Sequence, residues 1–483
     1  MIRRTKIVGT IGPSSWTPEI LEELIESGLN VVRINFSHGD RESKRPLIEM
    51  IRTTANRMGR PIAILQDLAG PKVRIGTFED GPIYLRHGQH FTLTTRDVPG
   101  CDGEVGLVYK GLPDDVKEGD CLMLADGALE LTVTSVDGPD ILCNVVTGGE
   151  LSSNKGINLP SGTITAPILD EKDIADLKFG LEMDLDYVAL SFVRTGEDVQ
   201  KAIDIMDEYG KHIPIIAKIE QQQGIANIGE IMELADGVMV ARGDLGVEIP
   251  FEEVPCIQKD LIGRANDVGS PVITATQMLK SMVESPRPTR AEVSDVANAI
   301  LDGSDAVMLS EEMAMGDHPV LSVKAMHRIA TSAETIFPYS SWAERYHPSS
   351  EMTVDEAVAR SAVSTAEAIK ADAIVTLTKS GSTTRLISKY RPIQPILAMT
   401  DDENTYRQTA MIWGATPLLT PSADDLDQLQ SMCLDMAVEQ GLLKRGQTVV
   451  LTAGVPLHEP GCTNLVKVVM VGCGDSAHCE LKF

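Results

Sequence analysis

The segment Ile215-Ile216-Ala217-Lys218-Ile219-Glu220 interrupts an apolar run with one lysine and ends it with one glutamate. Residues two apart on a strand share a face, so the Lys218 ammonium and the Glu220 carboxylate point the same way. A structural ion pair at a strand end would have this spacing. So would a lysine aimed at developing negative charge beside a metal-binding carboxylate. A second apolar run ends in Met239-Val240-Ala241-Arg242-Gly243-Asp244-Leu245-Gly246. Gly243 lets backbone approach a ligand, and a short helix opening at Leu245 would turn N–H groups toward an anion. Asp244 is a candidate second metal carboxylate, although a capping aspartate beside a turn glycine reads the same.

Other polar residues fall where apolar runs stop: Arg33, Asn35, Ser37 and His38, then Asp67, then Ser191 and Arg194, and later Thr276, Gln277, Ser310 and Glu311. Arginines, a lysine and several carboxylates gathered on one mouth suit a phosphorylated acid held with a divalent metal. Neither Gly-x-x-x-x-Gly-Lys-Ser/Thr nor Gly-x-Gly-x-x-Gly occurs in the chain. A nucleotide would therefore bind without the usual phosphate loop.

Positioning these residues requires strands that end together. Short apolar runs at 5–10, 30–35, 61–67, 187–192, 214–219, 237–241, 271–275 and 305–309 alternate with helical patterns, as in Pro18 to Ser27 and Gly196 to Tyr209. Eight such units predict an α/β chain built on a (β/α)8 TIM barrel, with an open doubly wound sheet as the alternative. Between Pro71 and Pro167 the alternation gives way to short strands and turn signals such as Asp126-Gly127, which predict an inserted small β-barrel cap domain. Beyond Tyr346 strands and helices alternate again, as a C-terminal α/β domain. The expected division is 1–70 with 168–345 for the barrel, 71–167 for the cap and 346–483 for the last unit.

Composition narrows the partners. The 43 Lys and Arg against 70 Asp and Glu give the 483 residues a net charge of −27, which argues against nucleic acid. Eight cysteines without a Cys-x-x-Cys pair suggest reduced thiols and a cytoplasmic protein. No apolar run is long enough to span a membrane, and the apolar stretch after the basic start is too short for a signal sequence.

Several segments together resemble the pyruvate kinase family: Thr5 to Ser15, Arg33-Ile34-Asn35-Phe36-Ser37-His38-Gly39, Asp67 to Arg74, Lys155 to Pro160, Ala217-Lys218-Ile219-Glu220, Met239 to Gly246 and Ala275-Thr276-Gln277-Met278-Leu279. The resemblance covers essentially the whole chain. It implies transfer of the phosphoryl group of phosphoenolpyruvate to ADP. Arg33 would clamp the substrate's phosphoryl and carboxylate groups, and Glu220 and Asp244 would hold Mg²⁺, with Mn²⁺ an alternative. Lys218 would face the transferring phosphoryl group and the enolate oxygen. The backbone around Arg242, Gly243 and Asp244, with Thr276, would hold the carboxylate, and Thr276 would sit near the carbon that takes a proton. Asn35, His38, Arg74 and Lys155 would meet the nucleotide. A homotetramer is implied by the resemblance alone.

Two features depart from or extend that pattern. Many members carry a hydroxyl residue where this chain has Leu68 and an acidic one where it has Lys72, in sites that use potassium held by groups matching Asn35, Ser37 and Asp67. The Lys72 ammonium is expected to replace that cation, so that potassium is not required. Thr378-Lys379-Ser380-Gly381-Ser382-Thr383 sits between a strand and a helix expected from about Thr384, an order that makes an anion nest or an ordinary capped turn. In the family this loop holds a phosphate of an allosteric sugar phosphate, so a phosphorylated effector is expected here. Enolate stabilisation would also serve a lyase or aldolase of oxo-acids, and the Thr378 loop alone would serve a metabolite sensor. Arg74 and Lys155 favour the nucleotide-using reading over the first, and the intact Lys218, Glu220 and Asp244 argue against the second.

Overall fold

The computed structural model describes residues 3–71, 73–160, 162, 164–342, 352–423, 425–457 and 462–472. Among them eight parallel strands close into a barrel in sequence order: β1 (Lys6–Thr10), β2 (Val31–Asn35), β3 (Ala63–Asp67), β4 (Tyr187–Leu190), β5 (Ile215–Ile219), β6 (Gly237–Ala241), β7 (Val272–Ala275) and β8 (Ala306–Leu309). The closed ring excludes the open doubly wound sheet. Its strands are buried on both faces, which is why they read as continuous apolar runs.

The strand period of two decides what enters the barrel. On β5, Ile215, Ala217 and Ile219 pack outward against helices, while Ile216 points inward with Val8, Val31, Leu65, Ala189, Met239, Ile273 and Met308. Continuing the inward register along each strand places Thr10, Arg33, Asp67, Ser191, Lys218 and Glu220 at the C-terminal mouth. The N-terminal mouth is plugged by Ala410 and Met411, which join the same interior cluster.

A repeated device closes that lower end. Asn30, Asp186, Asp236 and Asp305 each stand immediately before an even-numbered strand, and each side chain accepts the N–H of the neighbouring odd strand. The bonds are Ile7 N to Asn30 at 3.0 Å, Ile64 N to Asp186 at 2.7 Å, Ile215 N to Asp236 at 3.0 Å and Val272 N to Asp305 at 2.9 Å. They satisfy strand-entry donors that would otherwise be buried without partners.

The insert forms a six-stranded sheet in the order Ile157–Asn158, Cys121–Leu124, Leu129–Asp137, Asp140–Thr147, His90–Thr94, Glu104–Gly106, with Ile83–Leu85 and Gly149–Leu151 paired beside it. It has a core of its own. Two contacts fix its roots. Asp173, buried in the first turn of helix Glu171–Glu182, accepts the Ala69 N–H at 3.1 Å. Arg194 donates to Asp198, to the Ala166 carbonyl at 3.1 Å and to the Ile164 carbonyl. Arg194, expected at the mouth, thus holds the chain returning from the insert.

The C-terminal sheet runs Ala415–Leu419, Ile396–Thr400, Ala373–Leu377, Thr448–Gly454, Thr463–Met470, with the last strand antiparallel. Its Ala415–Leu419 strand has no counterpart in the sequence reading, because Pro417 sits in the middle of the run. As an edge strand it can lack an N–H there. Helix Arg242–Glu248 begins at Arg242 rather than Leu245, and the helix after the Thr378 loop begins at Ser382 rather than Thr384.

Candidate active site

Three side chains converge on the Lys218 ammonium. It lies 2.9 Å from Glu220 Oε1 and 3.3 Å from Asp67 Oδ1, and donates to Ser191 Oγ at 2.7 Å. Ser191 in turn donates to the Leu68 carbonyl at 2.8 Å, so β3, β4 and β5 all contribute to the lysine's position. Burial opposes the charge on Lys218, but Asp67 and Glu220 outweigh it and hold the group above the ordinary lysine range. The ammonium is therefore permanently charged at any physiological pH.

Asp67 is shared with Arg33, whose Nε donates to Asp67 Oδ2 at 2.5 Å and whose Nη1 donates to Thr10 Oγ1 at 2.9 Å. Burial would raise Asp67, yet Arg33 and Lys218 together keep it below the usual carboxylate range. Glu220 goes the other way. Burial dominates, Asp244 and Asp67 add repulsion, and the pull of Lys218 does not offset them, so Glu220 is raised. Its second oxygen accepts the Phe192 N–H at 2.7 Å, a bond reached through a left-handed backbone at Phe192 (φ 59°).

That excess of negative charge on Glu220 beside Asp244 is what a divalent cation would relieve. Among the described residues no group of three or more His, Cys, Asp or Glu is arranged to hold a metal alone. A magnesium-type ion takes one or two carboxylates and completes its shell with substrate oxygens and water, so the Glu220 and Asp244 pair fits it.

The β6 and β7 ends are interlocked. Thr276 and Gln277 have φ of 68° and 54°, and Thr276 Oγ1 accepts the Gly243 N–H at 2.7 Å and donates to the Ala275 carbonyl at 2.6 Å. The Arg242 side chain leaves the mouth, donating to Asp295 at 2.7 Å and to the Thr276 carbonyl at 2.9 Å. Arg242 does not line the mouth cavity, whereas the next two residues, Gly243 and Asp244, do. Glu312 accepts the N–H groups of Ser310 at 2.7 Å and Leu279 at 3.1 Å, tying the last two loops together.

One cavity of about 1450 Å³ brings together Arg33, Asn35, Ser37, His38, Asp67, Arg74, Lys218, Glu220, Gly243, Asp244 and Thr276. Lys155 is exposed and does not line it, although Arg74 beside it does. Asn35 Oδ1 accepts the Ser37 N–H at 2.8 Å. Lys72, expected to replace potassium near Asn35, Ser37 and Asp67, lies outside the described residues. The sequence reading missed Asp126, which the insert's Ala125-Asp126-Gly127 turn presents to this cavity. Its signal was the Asp-Gly turn itself, read only as punctuation. Also missed was Glu248, which accepts from Asn158 of the insert at 2.9 Å on the same helix as Asp244.

The Thr378 loop forms a separate pocket of about 60 Å³, lined by Thr378, Lys379, Ser380, Ser382 and Thr383 together with Asp401. Gly381 adopts φ 80°, its N–H donates to Thr378 Oγ1 at 2.9 Å, and Lys379 lies 2.9 Å from Asp401.

A family model described as pyruvate kinase, barrel domain matches residues 2–323, and one described as pyruvate kinase, alpha/beta domain matches residues 356–469. A pyruvate kinase of Geobacillus stearothermophilus is 46% identical over 474 residues, 98% of this chain and 81% of that protein. One of Staphylococcus aureus (strain USA300) is 44% identical over 473 residues, again 98% and 81%. A crystal structure of a pyruvate kinase from Cryptosporidium parvum superposes with a TM-score of 0.91 at 40% identity, covering 97% of this chain and 96% of that one.

Proposed function

Because the chain belongs to the pyruvate kinase family and is a phosphotransferase, we propose that it moves the phosphoryl group of phosphoenolpyruvate to ADP, giving pyruvate and ATP. In that reaction the bond from phosphorus to the enol oxygen breaks, a bond from phosphorus to the β-phosphate oxygen of ADP forms, and the enolate takes a proton at its terminal carbon. The observation that carries the reading is Lys218, fixed between Glu220 at 2.9 Å and Asp67 at 3.3 Å on the wall that Arg33 shares.

A phosphoryl group in transfer spreads charge over its oxygens, so positioned positive charge does most of the work. Lys218 and Arg33 supply it from opposite sides of Asp67. That carboxylate orients both without cancelling either, since it remains one charge between two. Gly243 and Thr276 would receive the substrate carboxylate, which must displace the Thr276 hydroxyl from the Gly243 N–H. Glu220 and Asp244 would hold Mg²⁺, or Mn²⁺ in its place; when bound the ion supplies Lewis-acid stabilisation of the enolate oxygen. Thr276 would stand near the carbon to be protonated, and Asn35, His38, Arg74 and Lys155 would face the nucleotide once the insert covers the mouth.

The chain would divide into barrel, insert and C-terminal unit at about residues 70, 168 and 346 and work as a homotetramer in the cytoplasm. Lys72 would stand in for potassium, and a phosphorylated metabolite would bind the Thr378 loop as activator. One assay tests the whole reading: pyruvate formation from phosphoenolpyruvate, dependent on ADP and Mg²⁺, in tetramethylammonium buffer with and without potassium and sugar phosphates. Absence of turnover removes the reaction. Strong potassium stimulation removes the role of Lys72, and activation unchanged in Ser382→Asp removes the effector loop.

A further inference from the structure

The chain has three tryptophans. Trp342 and Trp413 are 2% exposed, whereas Trp16 is 54% exposed on the wall of the large cavity. Large aromatics are ordinarily covered. Trp16 stands just before Thr17, the cap of helix Pro18–Ser27, where an apolar residue commonly folds onto the fourth helical residue. That residue, Leu21, is fully buried while Trp16 stays open, so stapling the helix does not account for it.

The indole is also not on a loose loop. Ser15 is buried, with its N–H on the Gly12 carbonyl at 2.8 Å and its hydroxyl accepting the Gly12 N–H at 3.1 Å. The Ser14 N–H donates to the Ala314 carbonyl at 3.1 Å, pinning the segment to the loop after β8. The same cavity is lined by Pro13 of the segment that carries Trp16 and by Pro46, Leu47 and Met50 of helix Arg45–Met58, which together supply an apolar ledge in a cavity otherwise rich in charge. The ledge lies over β1 and β2, across the ring from β5 and β6, which carry Lys218 and lead into Glu220 and Asp244.

A phosphoryl acceptor that places its charged end at Lys218 and Arg33 must extend the rest of itself along this cavity. For a nucleoside diphosphate the remainder is a sugar ending in a flat heteroaromatic base, and the base needs an apolar face rather than further charge. We propose that Trp16 is the platform on which the base of the nucleoside diphosphate stacks, with Pro13 and Leu47 completing the ledge. This rests on the phosphoryl-transfer reading above, and continuity with the Lys218 centre in one cavity is what commits the ledge to that occupant.

The test compares Trp16→Ala and Trp16→Phe with the unaltered full-length protein. Trp16→Ala is expected to raise KM for ADP about tenfold, the scale of losing one base–aromatic stack. KM for phosphoenolpyruvate and kcat should stay within about twofold, and Trp16→Phe should recover most of the loss. Inorganic pyrophosphate, which has the phosphates and no base, should compete with ADP equally well in both proteins. ADP should quench tryptophan emission in the unaltered protein and not in Trp16→Phe, whose remaining indoles are buried. An unchanged KM for ADP in Trp16→Ala overturns the inference while leaving the reaction standing. A protein that forms no pyruvate from phosphoenolpyruvate and ADP overturns the reading beneath it.

Discussion

The two ends of the barrel each bury a lysine, and the two lysines are pushed in opposite directions. Lys218 at the C-terminal mouth faces two carboxylates and stays above the ordinary lysine range. Lys6 at the other end donates to the Ala415 carbonyl at 2.6 Å; burial, then Arg3, push it down to about 7 against the weaker pull of Glu334. Both are less than a tenth exposed. Burial pushes both lysines down, and it prevails at Lys6 but not at Lys218, where two facing carboxylates outweigh it. A carbonyl dipole accepts equally from a neutral amine, whereas two carboxylates require the ammonium. The first arrangement serves packing against the C-terminal unit, and the second serves an anionic transition state.

Activity should be most sensitive at the upper lysine. Lys218→Met should reduce kcat by ~10³ or more, as expected for loss of a main electrostatic stabiliser, while the circular dichroism spectrum stays unchanged. Near-normal turnover in a folded variant would make Lys218, like Lys6, a purely structural lysine.

The next effect belongs to the lower end and should read out in stability instead. Arg391 is 1% exposed and donates to Asp305 at 2.7 Å, to Asn266 at 2.7 Å and to the Gly303 carbonyl at 2.8 Å, with its guanidinium 4.7 Å from the Trp413 ring centre. Arg391, Arg385 and Arg407 of the C-terminal unit each meet one of the strand-entry aspartates Asp305, Asp236 and Asp186. Arg391→Leu leaves Asp305 charged and buried, a change worth about 3–5 kcal/mol. The denaturant midpoint should fall accordingly, with kcat of the folded protein within a few-fold. A large loss of kcat without loss of stability would mean that the lower end also acts in the chemistry.

The two ends were not equally legible in the sequence. The upper one was, because polar residues closing apolar runs are conspicuous: Arg33, Asp67, Lys218, Glu220 and Asp244 all line the cavity, and β6 has the expected bounds. The lower one was not. Asp186, Asp236 and Asp305 precede their strands in the sequence, where an acidic residue reads as ordinary turn chemistry, and their partners lie far along the chain. Arg194 and Arg242 show the limit at the mouth itself. A strand-end position fixes where a side chain starts and not where a long one finishes, and these two finish on Asp198 and Asp295. Asp126 and Trp16 stand on turns outside the strand rhythm, where the alternation that located the other residues gives no direction.

A more modest change is expected at Lys6, where it isolates the charge state of one buried amine. In the unfolded chain this lysine takes up its proton near 10.5, and in the fold near 7. Between those values the unfolded state carries a proton that the folded state lacks, so through this group stability rises with pH across that window. Below about 7 both states are protonated and the buried ammonium is a standing penalty; above about 10.5 both are neutral and the penalty is gone. Lys6→Met removes the titration. It also removes the donor to Ala415, a loss that relief from desolvation largely offsets, so stability near pH 7 should change by only about 1 kcal/mol. Measured by denaturant unfolding, the unaltered protein should gain on Lys6→Met as pH rises from about 7 to about 9.5, at up to about 1.4 kcal/mol per pH unit. Turnover should be alike in both. Parallel stability curves would show that Lys6 stays charged in the fold and that a lone carbonyl suffices to hold a buried ammonium, which would remove the distinction between the two ends.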